Sequence, residues 1–293
     1  MNINWYPGHM AKTKKQILED LKLIDVVLEV IDARIPISSR NPDIEQYLQN
    51  KCRLIALNKS DLADEKQNLR WVKYFKEQGL EAVLLNSNNG DGINLCVKKI
   101  QEIYSAKQEK YENKGRIGKS IRVIVLGIPN VGKSSLINRI SKKNISQVGN
   151  KPGVTKQKQW IRINNNIELL DTPGVLWPKF ENEEIALNLA YTGTIKDDIL
   201  ETIEVGFELL KILVNKYVDK LVERYKLNKN EINNILRLEN LEENEKILEI
   251  MHLIGKNRGA IISGGNIDEE KTAKIILDDF RNGKIGRITL EEI

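Results

Sequence analysis

The chain has 293 residues, 46 Lys and Arg against 41 Asp and Glu for a formal charge of +5, 41% hydrophobic residues and two cysteines. This length corresponds to about two domains of ~150 residues, long enough to bury a core without disulfide or metal staples, and the composition excludes disordered and fibrous classes. No apolar run reaches the ~20 residues of a membrane span, and the N-terminal Lys12, Lys14 and Lys15 lead into Glu19, Asp20 and Asp25 rather than a signal segment, so a cytoplasmic protein without membrane contact is expected.

In chain order, Ile17, Leu21 and Ile24 recur at helical spacing and predict an amphipathic helix over 11–24. Strand-like runs follow at 26–31, 53–57 and 82–85, alternating with helical patterns near 42–49, 65–78 and 92–105, which argues for a parallel sheet covered on both faces. The charged stretch 107–119, with Gly115 and Gly118, reads as a linker. Beyond it come a strand at 122–126, a helix at 133–140, strands near 158–163 and 167–170, and a turn at 171–174. After Pro178 the pattern is mostly helical to Phe280. The expected fold class is α/β: a domain with a mostly parallel sheet over 1–178, then a smaller all-α domain over 179–293. Cys52 and Cys96 have neither metal nor disulfide spacing and read as small core residues.

Charge is uneven along the chain. Residues 106–162 carry 14 Lys and Arg against 2 Asp and Glu, whereas 181–250 carry 9 against 16. A basic stretch of this kind is a solvated face, a phosphate site or a nucleic-acid surface.

The most specific signal is Gly127-Ile128-Pro129-Asn130-Val131-Gly132-Lys133-Ser134, which fits G-x-x-x-x-G-K-S/T between a strand and a helix. Its glycines let the backbone wrap phosphate oxygens, and the N–H groups of Val131, Gly132, Lys133, Ser134 and Ser135 open the helix toward an anion. Lys133 supplies charge near the β- and γ-phosphates, and the Ser134 hydroxyl is suited to Mg2+. Asp171-Thr172-Pro173-Gly174 places a carboxylate at a strand end where it can hold Mg2+ through water, and Gly174 can offer its N–H to a γ-phosphate. Asn58-Lys59-Ser60-Asp61 fits N/T-K-x-D: Asp61 accepts from the N1–H and amino group of guanine, Asn58 braces the loop and Lys59 covers the base. Adenine presents the opposite pattern on that edge, so GTP is preferred over ATP. The base motif precedes the phosphate loop, the reverse of familiar small GTPases, so the domain reads as circularly permuted, with 107–119 joining the old ends.

This order, with Trp5-Tyr6-Pro7-Gly8-His9-Met10-Ala11-Lys12, Asp32-Ala33-Arg34-Ile35-Pro36, Lys151-Pro152-Gly153-Val154-Thr155, Arg258-Gly259-Ala260, Asp279-Phe280-Arg281 and Gly286-Arg287-Ile288-Thr289, resembles the bacterial ribosome biogenesis GTPase A family over nearly the whole chain. The resemblance implies a cytoplasmic GTPase acting late in assembly of the large (50S) ribosomal subunit, with a C-terminal helical domain that binds rRNA. It makes Thr155 the switch threonine that closes over Mg2+ and the γ-phosphate, and places Asn86-Ser87 in the second guanine loop, where this chain has Ser87-Asn88 in place of the family's Ser-Ala. Through similar GTPases, Asn130 becomes a candidate to help coordinate K+.

Gly174 is followed by Val175 and Leu176, so the water-orienting Gln of many GTPases is missing. His9, on a turn shaped by Pro7-Gly8, is the candidate catalytic group that positions the water. Lys256, Arg258, Lys284 and Arg287, in or near glycine-rich breaks, are the candidate RNA contacts. GTP and GDP, the large subunit and its rRNA are the expected partners of a monomer. A GTP-gated RNA-binding module with negligible turnover is the alternative reading. A metabolic P-loop kinase or ATPase is a third, against which Asn58-Lys59-Ser60-Asp61 argues.

Overall fold

Valine, isoleucine and leucine dominate β1 (Val26–Asp32), and all seven of its positions are buried, as in a strand packed on both faces. In the computed structural model, which describes residues 8–48, 51–110, 120–144, 160–164, 166–176, 182–195 and 201–293, it is a central strand of a six-stranded sheet. The others are β2 (Cys52–Asn58), β3 (Glu81–Leu84), β4 (Ile121–Leu126), β5 (Trp160–Asn164) and β6 (Ile167–Asp171). Their spatial order is β3-β2-β1-β4-β6-β5. All neighbours run parallel except β5 against β6. The register sets Asp32 beside Asn58 and Val125 beside Asp171, so the C-terminal ends of β1, β2, β4 and β6 share one edge of the sheet, where open α/β sheets bind ligands.

The helices return the chain between strands. α1 (Gly8–Leu21) begins before the expected residue 11 and stops before 24. It ends there because Asp25 is drawn into the sheet: its N–H donates to Arg122 O and its carboxylate accepts from Arg122 N, both at 2.9 Å. His9 therefore lies in the first helical turn rather than on a separate turn, and its side chain is outside the described residues. α2 (Pro42–Leu48) follows a salt-bridge network in which Glu29 of β1 meets Arg53 at 2.6 Å and Arg40 at 3.0 Å. α3 (Glu65–Glu77) is capped by Asp64, which accepts from Lys66 N and Gln67 N. Its Trp71 and Phe75, four apart on one face, pack on Ile31, Ile55 and Leu57.

α4 (Ile93–Lys110) runs past residue 105 into the stretch expected as a linker. The segment Ala106-Lys107-Gln108-Glu109-Lys110 consists of good helix formers with no breaker, so propensity carries the helix on. The rest of that stretch, 111–119, is outside the described residues. Cys96 on α4 is fully buried, which pushes its thiol up to about 12. Cys52 is only half-buried at the start of β2. α5 (Lys133–Asn144) starts directly after Gly132.

The described chain forms two compact units, Met1–Glu181 with Glu291–Ile293, and Asn182–Leu290. The second unit holds α6 (Glu183–Tyr191), α7 (Thr202–Tyr225), α8 (Lys229–Arg237), α9 (Glu243–Asn257) and α10 (Glu269–Arg281). Asn182, Asn228 and Asp268 cap α6, α8 and α10 with side-chain oxygens. α7 kinks at Tyr217 (φ −137°), whose hydroxyl donates to Thr289 O at 2.7 Å. The last three residues belong to the first unit, so the second is joined to it by two covalent connections. Glu291 accepts from Ile37 N at 2.6 Å, from Ser38 N at 2.8 Å and from the Ser38 hydroxyl, while its carbonyl takes Trp71 Nε1 at 3.3 Å. No described helix is long and apolar enough to cross a membrane.

Candidate functional site

The phosphate loop leaves β4 at Gly127 and enters α5 at Lys133. Gly132 has φ +92°, and a Cβ there would fall 2.3 Å from Asn58 Nδ2, so only glycine fits both the backbone and the space. Asn130 is left-handed as well, at φ +62°, a conformation asparagine tolerates better than most residues. It is exposed at the rim of the loop, Val131 is buried beneath it, and Ser134 and Ser135 are exposed in the first turn of α5.

Lys133 is almost fully enclosed, and its ammonium donates to Ile128 O at 2.8 Å. Burial brings it down to about 8, opposed by the charge of Asp171. Asp171, at the end of β6, is half-buried, and Thr172 donates to Val125 O at 2.6 Å, fixing the start of the following turn. Gly174 approaches so closely that a Cβ on it would lie 2.7 Å from Pro129 N and 2.8 Å from Lys133 Nζ. Val175 and Leu176 are buried, and Val175 O accepts from Asn41 Nδ2 at 2.8 Å. These two apolar side chains belong to the core and carry no polar group that could orient a water.

The base loop is built around Asn58, which is 2% exposed. Its Nδ2 donates to Val131 O at 2.7 Å, and its Oδ1 accepts from Ser87 N at 3.0 Å and Ser87 Oγ at 2.7 Å. One side chain thus ties the phosphate loop, the base loop and the loop after β3. Ser60 donates from Oγ to Leu85 O at 2.9 Å, and its carbonyl accepts from Asn68 Nδ2 on α3 at 2.8 Å. Asp61 is exposed. Asn86 turns its own loop by accepting from Asn88 N and Asn89 N, and Arg139 of α5 donates to Asn88 O at 2.7 Å. Lys59 sits at φ +58°, rare for a long side chain, with its ammonium 2.9 Å from Asp32.

Thr155 is outside the described residues. Ser134 and Asp171 present hydroxyl and carboxylate oxygens, the chemistry Mg2+ prefers. Among the described residues no group of three or more His, Cys, Asp or Glu could hold a metal ion, so these two donors suit a Mg2+ that takes its other ligands from phosphate and water.

In the second unit, the candidate cations divide. Arg258 and Lys284 lie 3.2 and 3.4 Å from buried Asp279, which also takes Arg224 through two bonds of 2.9 Å. Burial pushes the Asp279 carboxyl up, but Arg224 first, then Arg258 and Lys284, hold it below the usual carboxylate range. Lys256 is exposed and Arg287 half-buried, with Arg287 O accepting from Lys220 Nζ. Sequence reasoning did not assign roles to Asp32, Asn41, Asn68 or Arg139. Only adjacency across parallel strands or between distant loops brings them to the site.

A glycine phosphate loop tied through Asn58 to an Asn-Lys-Ser-Asp base loop, on a mostly parallel sheet, defines a P-loop GTPase. Residues 122–252 match the family model described as 50S ribosome-binding GTPase, and the chain is 45% identical over 99% of its length to ribosome biogenesis GTPase A of Bacillus cereus, covering 94% of that protein. The chain belongs to the ribosome biogenesis GTPase A family. It is likewise 44% identical to the Bacillus pumilus member, with 100% of this chain and 99% of that one covered. Two solved structures of YlqF have the same fold at 25% identity. The GDP-bound one has a TM-score of 0.66 over 94% of this chain and 98% of that one. The GNP-bound one from T. maritima has 0.64 over 96% and 98%.

Proposed function

We propose that this GTPase is a cytoplasmic switch in late assembly of the large ribosomal subunit, with the second unit binding rRNA. The observation that carries the switch is the Asn58 bridge, because a nucleotide gripped through its base is thereby coupled to the loop that holds its phosphates. In this reading Asp61 accepts from the guanine N1–H and amino group, Lys59 covers the ring, and Ser60, Asn86 and Ser87 complete the base pocket. Val131, Gly132, Lys133, Ser134 and Ser135 bind the phosphates, and Gly174 offers its N–H to the γ-phosphate. Ser134, Asp171 and Thr155 would hold Mg2+, and Asn130 would add a K+ ligand. The Mg2+ would supply neutralisation of phosphate charge.

The domain is circularly permuted in this account. Support comes from the strand order, in which the phosphate-loop strand β4 sits between β1 and β6 although the base motif comes earlier in the chain. The family match also starts at residue 122, well after Asn58. In chain order the segment after Gly174 continues through Trp177 and Pro178 into the second unit, so a shift of that turn on binding γ-phosphate alters the second unit's RNA affinity. Lys256, Arg258, Lys284 and Arg287 are its RNA contacts. The three cations around Asp279 leave that cluster with a net positive charge, which favours phosphate.

With Val175 and Leu176 in the core, the group that positions water comes from elsewhere, and His9 is that group when the protein is bound to the ribosome. The test is multiple-turnover phosphate release with and without 50S particles. Stimulation by 50S supports the account, whereas negligible turnover in both conditions favours a GTP-gated binding module.

A further inference from the structure

Lys59 is held at both ends. At its backbone, Leu62 N donates to Lys59 O at 2.9 Å, and the preceding carbonyl, Asn58 O, accepts from Ala33 N at 2.9 Å. At its tip, the ammonium pairs with Asp32 Oδ2 at 2.9 Å. Asp32 is itself bonded on several sides. It is 2% exposed at the C-terminal end of β1, its Oδ1 accepts from Arg34 N at 3.1 Å and Arg34 Nε at 2.9 Å, and its Oδ2 accepts from Arg34 Nη2 at 2.8 Å. Its own N–H donates to Ser39 Oγ at 3.0 Å.

The charge balance separates two roles for this ion pair. Arg34, only 1% exposed, already neutralises Asp32 through a two-pronged contact, the strongest geometry a carboxylate finds. A second cation is not needed to keep the carboxylate buried. Lys59, by contrast, is 22% exposed at its side chain and can reach water, yet it is folded back in a left-handed conformation that persists only where its surroundings impose it. The pair therefore constrains Lys59 more than it stabilises Asp32.

We propose that Asp32, clamped by Arg34, is the positioning residue that anchors the Lys59 ammonium, so that the lysine stem stands as a preformed wall against the guanine ring. This rests on the reading of Asn58-Lys59-Ser60-Asp61 as the guanine site. A lysine free in solution loses its rotamer freedom when a base packs on it, and an anchored one has lost it already. Asp32 thus contributes to affinity for guanine nucleotides without touching them.

The test is a double-mutant cycle read by equilibrium and stopped-flow binding of a fluorescent GDP analogue to the full chain. Asp32→Asn and Lys59→Met should each weaken binding about ten-fold, the order expected for ordering one long side chain. The loss should lie in faster dissociation, with association unchanged. Because Asp32 acts through Lys59, the double variant should be no weaker than either single one. Unchanged or tighter binding by Asp32→Asn, or additive losses in the double variant, overturns the proposal. If Asp32→Asn does not fold, Lys59→Met decides, since it removes the same pair at a partly exposed position: unchanged affinity overturns the proposal. Asp61→Asn is the control. If it too leaves GDP binding intact, the guanine-site reading fails; if it weakens binding while Asp32→Asn does not, only the role of Asp32 fails.

Discussion

Asn58 donates to Val131 O across 2.7 Å, joining the end of β2 to the middle of the phosphate loop, residues 73 positions apart in the chain. The bond makes the base and phosphate halves of the site a single unit. Asn58→Ala removes it and also strips Ser87 N of its acceptor in a buried setting. An unsatisfied buried group costs about 1–3 kcal/mol, so thermal or urea unfolding should show a loss of that size. GDP affinity should fall about ten-fold or more for the same reason.

If Lys133 binds the phosphates, nucleotide affinity should depend on pH. In the free protein burial has brought its ammonium down to about 8 from an ordinary 10.5. Bound phosphates restore the charged form, so between about 8 and 10 binding takes up a proton and affinity falls as pH rises. Below about 8 this group contributes no slope. Calorimetry at pH 8.5 in buffers of different ionisation heat should reveal the proton uptake, and Lys133→Met should remove it along with most of the affinity.

Much of the site is legible in the sequence because it is contiguous. Gly127 to Ser134 and Asn58 to Asp61 each carry their chemistry within a few residues, and the alternation of strands and helices places both at strand ends. What was not legible depends on residues far apart in the chain. Asp32 comes beside Asn58 because β1 and β2 pair in register, Asn41 reaches Val175, and Arg139 reaches the loop after β3 from α5. Helix boundaries depart from the sequence pattern where that pattern carries no stop. α4 continued through charged residues of good propensity, and α1 ended where a sheet contact at Asp25 outweighed its own periodicity.

Glu291 predicts a local effect of the C-terminal residues on the segment after β1. Its carboxylate accepts from the amides of Ile37 and Ser38. Glu291→Ala should therefore speed hydrogen exchange at those two amides by about ten-fold or more, in line with loss of a charge-assisted bond. Exchange within the phosphate loop should be unaffected.

If His9 positions the attacking water, His9→Ala should lower the ribosome-stimulated kcat about 100-fold, the lower end for groups of this type. GTP affinity and subunit binding should be retained. Loss of subunit binding with normal single-turnover hydrolysis would instead make His9 a contact residue and move the catalytic group to the ribosome.

The proposed coupling of nucleotide state to large-subunit binding is tested most directly by co-sedimentation with purified 30S and 50S particles. In the presence of a non-hydrolysable GTP analogue the protein should pellet with 50S and not with 30S, and with GDP it should remain in the supernatant. Equal recovery with 50S in the two nucleotide states, or equal recovery with both particles, would contradict the account.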